Sequence, residues 1–70
     1  MSKDPLPHIP AGAPKQGERW RHKGSGGVYS VICTGYREND RAHVVVYQNA
    51  TGVLWVRPLG DFVRKFEFMI

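Results

Sequence analysis

Apolar and polar residues alternate over much of the chain after residue 17, which is the pattern of half-buried β-strands. The alternating segments are residues 18–23, 28–37, 43–49, 53–57 and 64–68. Glycine-rich or polar turn residues separate the first four of them, at positions 24–27, 38–40 and 50–52. The pattern predicts five short strands and no helix of normal length.

The connection before the last strand carries two further signals. Pro58 cannot donate to a strand ladder, so it ends or edges the fourth strand and keeps Arg57 extended. Leu59 and Phe62 lie three residues apart, the spacing of a single 3₁₀ turn. Five strands with such a turn before the last one predict an all-β fold, a small SH3-like barrel, in which closure removes the exposed sheet edges. The expected core is Trp20, Tyr29, Val31, Val45, Leu54, Val56, Leu59, Phe62 and Phe66.

The first sixteen residues have a different character from the rest. They contain four of the five prolines and show no periodicity, which favours extended polyproline II over a helix or a ladder. We therefore expect residues 1–16 to form a flexible proline-rich tail and residues 17–70 to form the barrel domain. Leu6 and Ile9 give the tail two apolar side chains with which to dock on the domain.

Composition narrows the class of protein. Seventy residues make one small domain, and an apolar fraction of 41% is enough for a real core. No hydrophobic run is long enough to span a membrane, so we expect a cytoplasmic protein without a membrane partner. The single cysteine, Cys33, excludes an intrachain disulfide, and we expect it to be buried and inert. His8, His22 and His43 are far apart and have no cysteine pair near them, so we expect neither a metal nor a cofactor.

Two groups of exposed residues are predicted from the strand alternation. If Trp20 and His22 point inward, then Arg19, Arg21 and Lys23 form a basic stripe. If Leu54 and Val56 point inward, Trp55 and Arg57 face outward together. The candidate ligand-binding residues are therefore Arg19, Arg21, Lys23, Tyr47, Trp55 and Arg57.

Both residues of the second group also have a structural interpretation. Trp55 packs either at the surface or under the proline-rich tail. Arg57 contacts a ligand or forms a salt bridge to Asp61 or Glu67.

Four short blocks carry a family resemblance. They are W-R-H-K-G at positions 20–24, Y-S-V at 29–31, V-V-Y at 45–47 and G-V-L-W-V-R-P-L-G-D-F at 52–62. Residues 19–62 thereby resemble a small bacterial and phage domain family of unknown function. Trp20 stands where that family usually has tyrosine, and the hairpin around positions 50–51 looks shorter. The resemblance implies a small β domain and no established activity.

The function predicted from these residues is non-catalytic binding. His22 and His43 are the only plausible general bases in the fold, and no catalytic motif surrounds them, so we do not expect an enzyme. Formal net charge of +4 and basic residues interleaved with aromatics favour nucleic acid or another phosphate-bearing partner. The alternative is a protein–protein interaction module, such as a phage-type accessory protein that binds a host or phage protein. Nucleic acid and protein both stay open as partners.

Overall fold

All five predicted strands are present in the computed structural model, which describes residues 12–70. Turns and bends between the alternating segments allow each strand to pair antiparallel with its neighbour. The elements in chain order are β1 (Arg19–His22), β2 (Val28–Tyr36), β3 (His43–Gln48), β4 (Leu54–Pro58), α1 (Leu59–Lys65) and β5 (Phe66–Met69).

The strands form one open sheet in the order β4-β3-β2-β1-β5. Because β4 and β5 are the two edges and do not pair with each other, the predicted closed barrel is not confirmed. α1 contacts β3, β4 and β5, so the helix lies at the gap that a closed barrel would seal by strand pairing. The protein is thus mostly β, with one sheet and one short helix.

The connection before β5 is an α-helix of seven residues instead of the predicted 3₁₀ turn. The backbone N–H of Phe66 donates to the carbonyl of Phe62 four residues earlier, which is the α-helical bond. Asp61 in the first turn and Arg64 with Lys65 in the last turn suit the helix dipole. The spacing of Leu59 and Phe62 fits either kind of helix, and both side chains are buried.

Aromatic side chains dominate the core. The rings of Phe62 and Phe66 stack with centroids 4.2 Å apart, and Trp20 meets the Phe62 ring edge-on at 5.3 Å. Six of the nine predicted core residues are buried, and Tyr29 packs against them half-buried. The buried six are Trp20, Val31, Val45, Leu59, Phe62 and Phe66. Three further apolar residues are buried without having been predicted, namely Ala13, Val44 and Tyr47.

The prediction that Leu54 and Val56 are core residues is wrong, since they are 56% and 63% exposed. Tyr47 pairs with Trp55 across the β3–β4 ladder, and Val45 pairs with Arg57 in the same way. Directly paired residues project from the same face of a sheet. Because Val45 and Tyr47 are buried, Trp55 and Arg57 lie on the core face and Leu54 and Val56 on the outer face.

The expected burial of Cys33 is also wrong, because the thiol is exposed. Regular alternation would place Cys33 on the same face as the buried Val31. The register shifts between these two residues: Val31 pairs with Tyr47, whereas Cys33 pairs with Val46. This bulge adds one residue to β2, so Cys33 turns to the outer face.

The described end of the proline-rich segment packs against the domain. Ala13 and Pro14 are buried, and Ala13 belongs to the core cluster that contains Trp20. The carboxylate of Glu18 accepts the backbone N–H of Lys15 at 2.8 Å, which fixes the entry of the chain into β1. The rest of the predicted tail, with Leu6 and Ile9, lies outside the described residues.

Candidate binding site

Side chains from all five strands and one turn surround a pocket on the core face of the sheet, which we call the aromatic pocket. Its volume is about 210 Å³. Pockets for drug-sized ligands usually have roughly 300–1,000 Å³, so this one matches a single ring with its substituents. The lining residues are His22, Ser25, Tyr29, Tyr47, Trp55, Arg57 and Phe66.

The hairpin between β3 and β4 sets the position of Trp55. Asn49 Oδ1 accepts bonds from the backbone N–H of Thr51 at 3.0 Å and of Val53 at 2.9 Å. Gly52 supplies the positive φ of 90° that this turn requires. β4 then starts in the register that pairs Trp55 with Tyr47, and Trp55 stays 49% exposed at the rim of the pocket.

Arg57 is held on three sides. Its Nε donates to Tyr47 Oη at 3.2 Å, and its Nη1 donates to Asp61 Oδ2 at 2.5 Å. The guanidinium carbon lies 5.8 Å from the ring centroid of Phe66, within cation–π range. These bonds raise the pKa of Arg57, with Tyr47 the larger cause and Asp61 the next. The guanidinium is therefore a permanent positive charge in a fixed orientation, and Nη2 donates in none of these bonds.

His22 has a defined tautomer when it is neutral. The backbone N–H of Ser25 donates to His22 Nδ1 at 3.0 Å. A backbone amide is a donor only, so Nδ1 must accept and the ring proton lies on Nε2. The Ser25 hydroxyl, 3.2 Å from the same nitrogen, accepts the backbone N–H of Gly27 and so belongs to the turn. His22 thus presents an Nε2–H donor beside the pocket.

The aromatic rings of the pocket brace one another. Tyr29 meets Tyr47 and Phe66 edge-on at 5.4 and 5.5 Å, and Phe66 meets His22 edge-on at 5.0 Å. Edge-to-face contacts of this kind stabilise beyond simple area burial. The pocket wall is therefore a preformed surface with ring faces and hydroxyl groups at fixed places.

The structure brings together three of the six predicted site residues, namely Tyr47, Trp55 and Arg57. Arg19 and Arg21 alternate with the inward-facing Trp20, so they project from the outer face, where Arg21 forms an ion pair with Glu67. Arg19 and Arg21 of the predicted basic stripe therefore do not share a face with the pocket. Lys23 lies beyond β1, in a cleft that adjoins the pocket at His22.

Four lining residues were not among the predicted site residues: His22, Ser25, Tyr29 and Phe66. Tyr29 and Phe66 were assigned to the core because an aromatic at an inward position is usually packed. His22 gave a usable signal, since it alternates with Trp20 and so places a polar ring on the inner face. Ser25 gave none, because its role depends on the shape of the turn.

The carboxylates of Glu18 and Asp40, the acids nearest to His22 and His43 in sequence, are bonded to other side chains. The carboxylate of Glu18 accepts from Trp20 Nε1 at 3.1 Å, and that of Asp40 accepts from Arg37. Neither of these bonds involves His22 or His43. Residues 12–70 contain no cluster of three or more metal-ligating side chains and no helix that could cross a membrane.

The chain matches a known protein family. A family model described as "Protein of unknown function (DUF1653)" matches residues 18–69. This confirms the resemblance to a domain family of unknown function. No curated protein and no solved structure matches the chain significantly.

Proposed function

We propose that this chain, which belongs to the DUF1653 family, is a non-catalytic binding domain for single-stranded nucleic acid. In this proposal an unpaired base stacks on Trp55 in the aromatic pocket, and Arg57 contacts a phosphate beside it. The main support for the proposal is that a half-exposed tryptophan and an arginine in a fixed orientation both line a pocket that has the size of one ring.

The chemistry of the pocket supports a flat ligand. Every base has a π-face, so stacking on an aromatic side chain tolerates all four bases and contributes roughly 1–3 kcal/mol per base. The hydroxyl groups of Tyr29 and Ser25 and the Nε2–H of His22 offer polar contacts to the ring edge. These groups suit a heterocycle better than a purely apolar side chain.

The charge of the pocket supports an anionic ligand. Its lining contains Arg57 and no acidic residue. A cation-binding aromatic cage needs its aromatic faces unopposed by positive charge, so Arg57 disfavours a ligand such as a methylated lysine. The planar guanidinium instead matches phosphate or carboxylate oxygens.

A second candidate function is protein binding, and a different surface favours it. Leu54 and Val56 are exposed on the outer face of β4, with Val46 beside them on β3. β4 is an edge strand, and an exposed apolar edge is a place where another chain can pair. This surface lies on the side of the sheet opposite the aromatic pocket, so the two functions are separable by mutation.

The test is a titration with short single-stranded oligonucleotides, in which tryptophan fluorescence reports binding. Trp20 is buried and Trp55 is half-exposed, so stacking should quench Trp55. Trp55→Phe should remove the quenching signal, and Trp55→Ala should weaken binding by about tenfold or more. Leu54→Ala, one residue away on the opposite face, is the matched control and should bind like the wild type.

Salt dependence discriminates the two candidate functions. Each neutralised phosphate on a single strand contributes about −0.7 to the slope of log K against log salt. Arg57→Gln should make that slope shallower by the contribution of roughly one phosphate contact. The proposed site would be ruled out if saturating oligonucleotide left the Trp55 fluorescence unchanged. It would also be ruled out if Leu54→Ala weakened binding and Trp55→Ala did not.

The open sheet and the helix α1 also bear on the predicted SH3-like barrel. We propose that the open sheet is a relative of the SH3-like barrel in which α1 takes the place of the missing β4–β5 pairing. Support comes from the five-strand succession and from a short helix before the last strand. An experimental structure with β4 and β5 far apart and unbridged by α1 would contradict it.

A further inference from the structure

A second depression borders the aromatic pocket, which we call the basic cleft. It has a volume of about 310 Å³ and is lined by His22, Lys23, Gly24, Arg64 and Lys65. The backbone N–H of Lys23 donates to the carbonyl of Lys65 at 2.9 Å, so the end of β1 is tied to the end of α1. This bond brings together cationic side chains that are more than forty residues apart in sequence.

The cleft has an excess of positive charge. None of its lining residues is acidic. The ion pairs within residues 12–70 involve neither Lys23 nor Lys65, and both residues are exposed. Arg64 donates to Asp61 Oδ1 at 2.7 Å, yet its side chain is 73% exposed. Arg64 and Lys65 also suit the last turn of α1, but helix stabilisation does not account for Lys23.

His22 joins the two depressions because it lines both of them. Its Nδ1 is engaged by Ser25, so its Nε2–H is available to an anion that lies between the pocket and the cleft. A Cβ added at Gly24 would lie 3.1 Å from His22 Cε1, so the ring would have to shift slightly to accommodate any other residue there.

We infer that the basic cleft is a phosphate subsite, and that the pocket and cleft together recognise one phosphorylated nucleotide. This inference rests on the proposed function and specifies its ligand. The base occupies the aromatic pocket against Trp55, and its own 5′-phosphate lies in the cleft between Lys23 and Lys65. In a strand, the phosphate that Arg57 contacts is the one that links this nucleotide to the next. The recognised unit is a single unpaired nucleotide at a strand end or in a loop.

The distribution of residues argues against a longer binding track. Proteins that follow a strand present successive aromatic platforms along a basic groove. Here Trp55 is half-exposed and the other tryptophan, Trp20, is buried. Phe68 is also half-exposed on this face, but it lines a separate depression that contains the acidic Glu18. Arg19 and Arg21 project from the opposite face of the sheet, where Arg21 is paired with Glu67. Lys23, Arg64 and Lys65 instead line a cleft that shares His22 with the pocket.

The experiment is titration of the full chain with a nucleoside 5′-monophosphate, the same nucleoside without phosphate, and inorganic phosphate. The monophosphate should bind at least about tenfold more tightly than the nucleoside, because the phosphate adds charge-assisted bonds. Lys23→Gln and Lys65→Gln should each reduce this ratio severalfold. Arg19→Gln removes the same charge from the other face and should leave the ratio unchanged. Oligonucleotides should gain little affinity per site beyond one or two nucleotides.

The outcomes separate this inference from the proposed function. If oligonucleotides quench Trp55 but monophosphate and nucleoside bind equally, the phosphate subsite is wrong and the proposed function stands. Equal effects of Lys23→Gln and Arg19→Gln would likewise overturn the subsite, since both would then reflect net charge alone. If the monophosphate binds with the predicted lysine dependence while oligonucleotides do not bind, the subsite stands and the proposed strand-binding function is wrong.

Discussion

Arg57 and Asp61 join the end of β4 to the first turn of α1, with Nη1 donating to Oδ2 at 2.5 Å across Pro58. The sequence left two roles open for Arg57, a ligand contact and a salt bridge to Asp61 or Glu67. The structure selects Asp61 for the salt bridge, because Glu67 pairs with Arg21 on the outer face. Arg57 still lines the aromatic pocket, so the ion pair fixes the orientation in which it would meet a ligand.

The two faces of β4 should respond differently to truncation. Leu54→Ala should change the free energy of unfolding by no more than about 0.5 kcal/mol, because the side chain is 56% exposed. Arg57→Ala should cost on the order of 1 kcal/mol, because it removes the bonds to Tyr47 and Asp61. Urea unfolding of both variants measures the difference. A loss of 2 kcal/mol or more for Leu54→Ala, on the order of a buried leucine, would mean that Leu54 is packed after all.

The stacked pair of Phe62 and Phe66 should be central to stability. Phe62→Ala removes a fully buried ring and should cost about 3–5 kcal/mol. A domain of this size has a total stability on the order of 5 kcal/mol, so this variant should be largely unfolded at room temperature. Val63→Ala, the next residue on the same helix but exposed, is the control and should fold normally. Circular dichroism and thermal melting of the two variants give the comparison.

The thiol of Cys33 should react readily in the folded protein, because it is exposed on the outer face. An aromatic disulfide reagent should label it under native conditions at a rate within about tenfold of the rate in denaturant. A buried thiol would instead react only through unfolding, much more slowly. Native labelling that accelerates strongly on addition of urea would contradict the exposed position.

Stability should fall in acid in part because of Asp61. Bonds from Arg57, and then from Arg64, lower the pKa of Asp61 below its ordinary value of 3.8. The unfolded chain therefore binds this proton first as the pH falls. The contribution of Asp61 is complete above its ordinary pKa and is lost as the pH drops through the lowered pKa of the folded state.

Asp61→Asn should accordingly flatten the dependence of the unfolding free energy on pH below about pH 4. Asp40→Asn is a parallel variant, because Arg37 lowers the pKa of Asp40 to about 2 in a turn that does not line the pocket. Each single variant should remove part of the acid loss, and the double variant should remove more. Identical acid limbs for the wild type and Asp61→Asn would show that the ion pair does not persist in solution.

Much of the sheet could be predicted because its signals are local. Turn residues and two-residue alternation gave the five strands, and inward aromatics such as Trp20 and Phe66 gave most of the core. The helix could not be separated from a 3₁₀ turn, since Leu59 and Phe62 at a spacing of three fit both. Closure of the sheet depends on whether β4 and β5 meet, and no local signal carries that information.

Part of the candidate site could be predicted, because some of its signals are also local. Tyr47, Trp55 and Arg57 were identified from residue type and alternation on neighbouring strands. Arg19 and Arg21 were grouped with them by charge alone, and charge does not specify the face of a sheet. Lys23 is placed beside the site by the bond between Lys23 and Lys65, a contact between distant parts of the chain.

The sequence by itself determined that Trp55 and Arg57 share one side of β4 and that Leu54 and Val56 share the other, because strand side chains alternate with a period of two. Only the tertiary structure decided which side faces the core. Both sides carry large apolar residues, so hydrophobicity did not discriminate between them, and a shift of one residue in register exchanges the faces completely. The pairing of Trp55 with the buried Tyr47 fixes that register, and it turns the tryptophan inward to the pocket and the leucine outward to solvent.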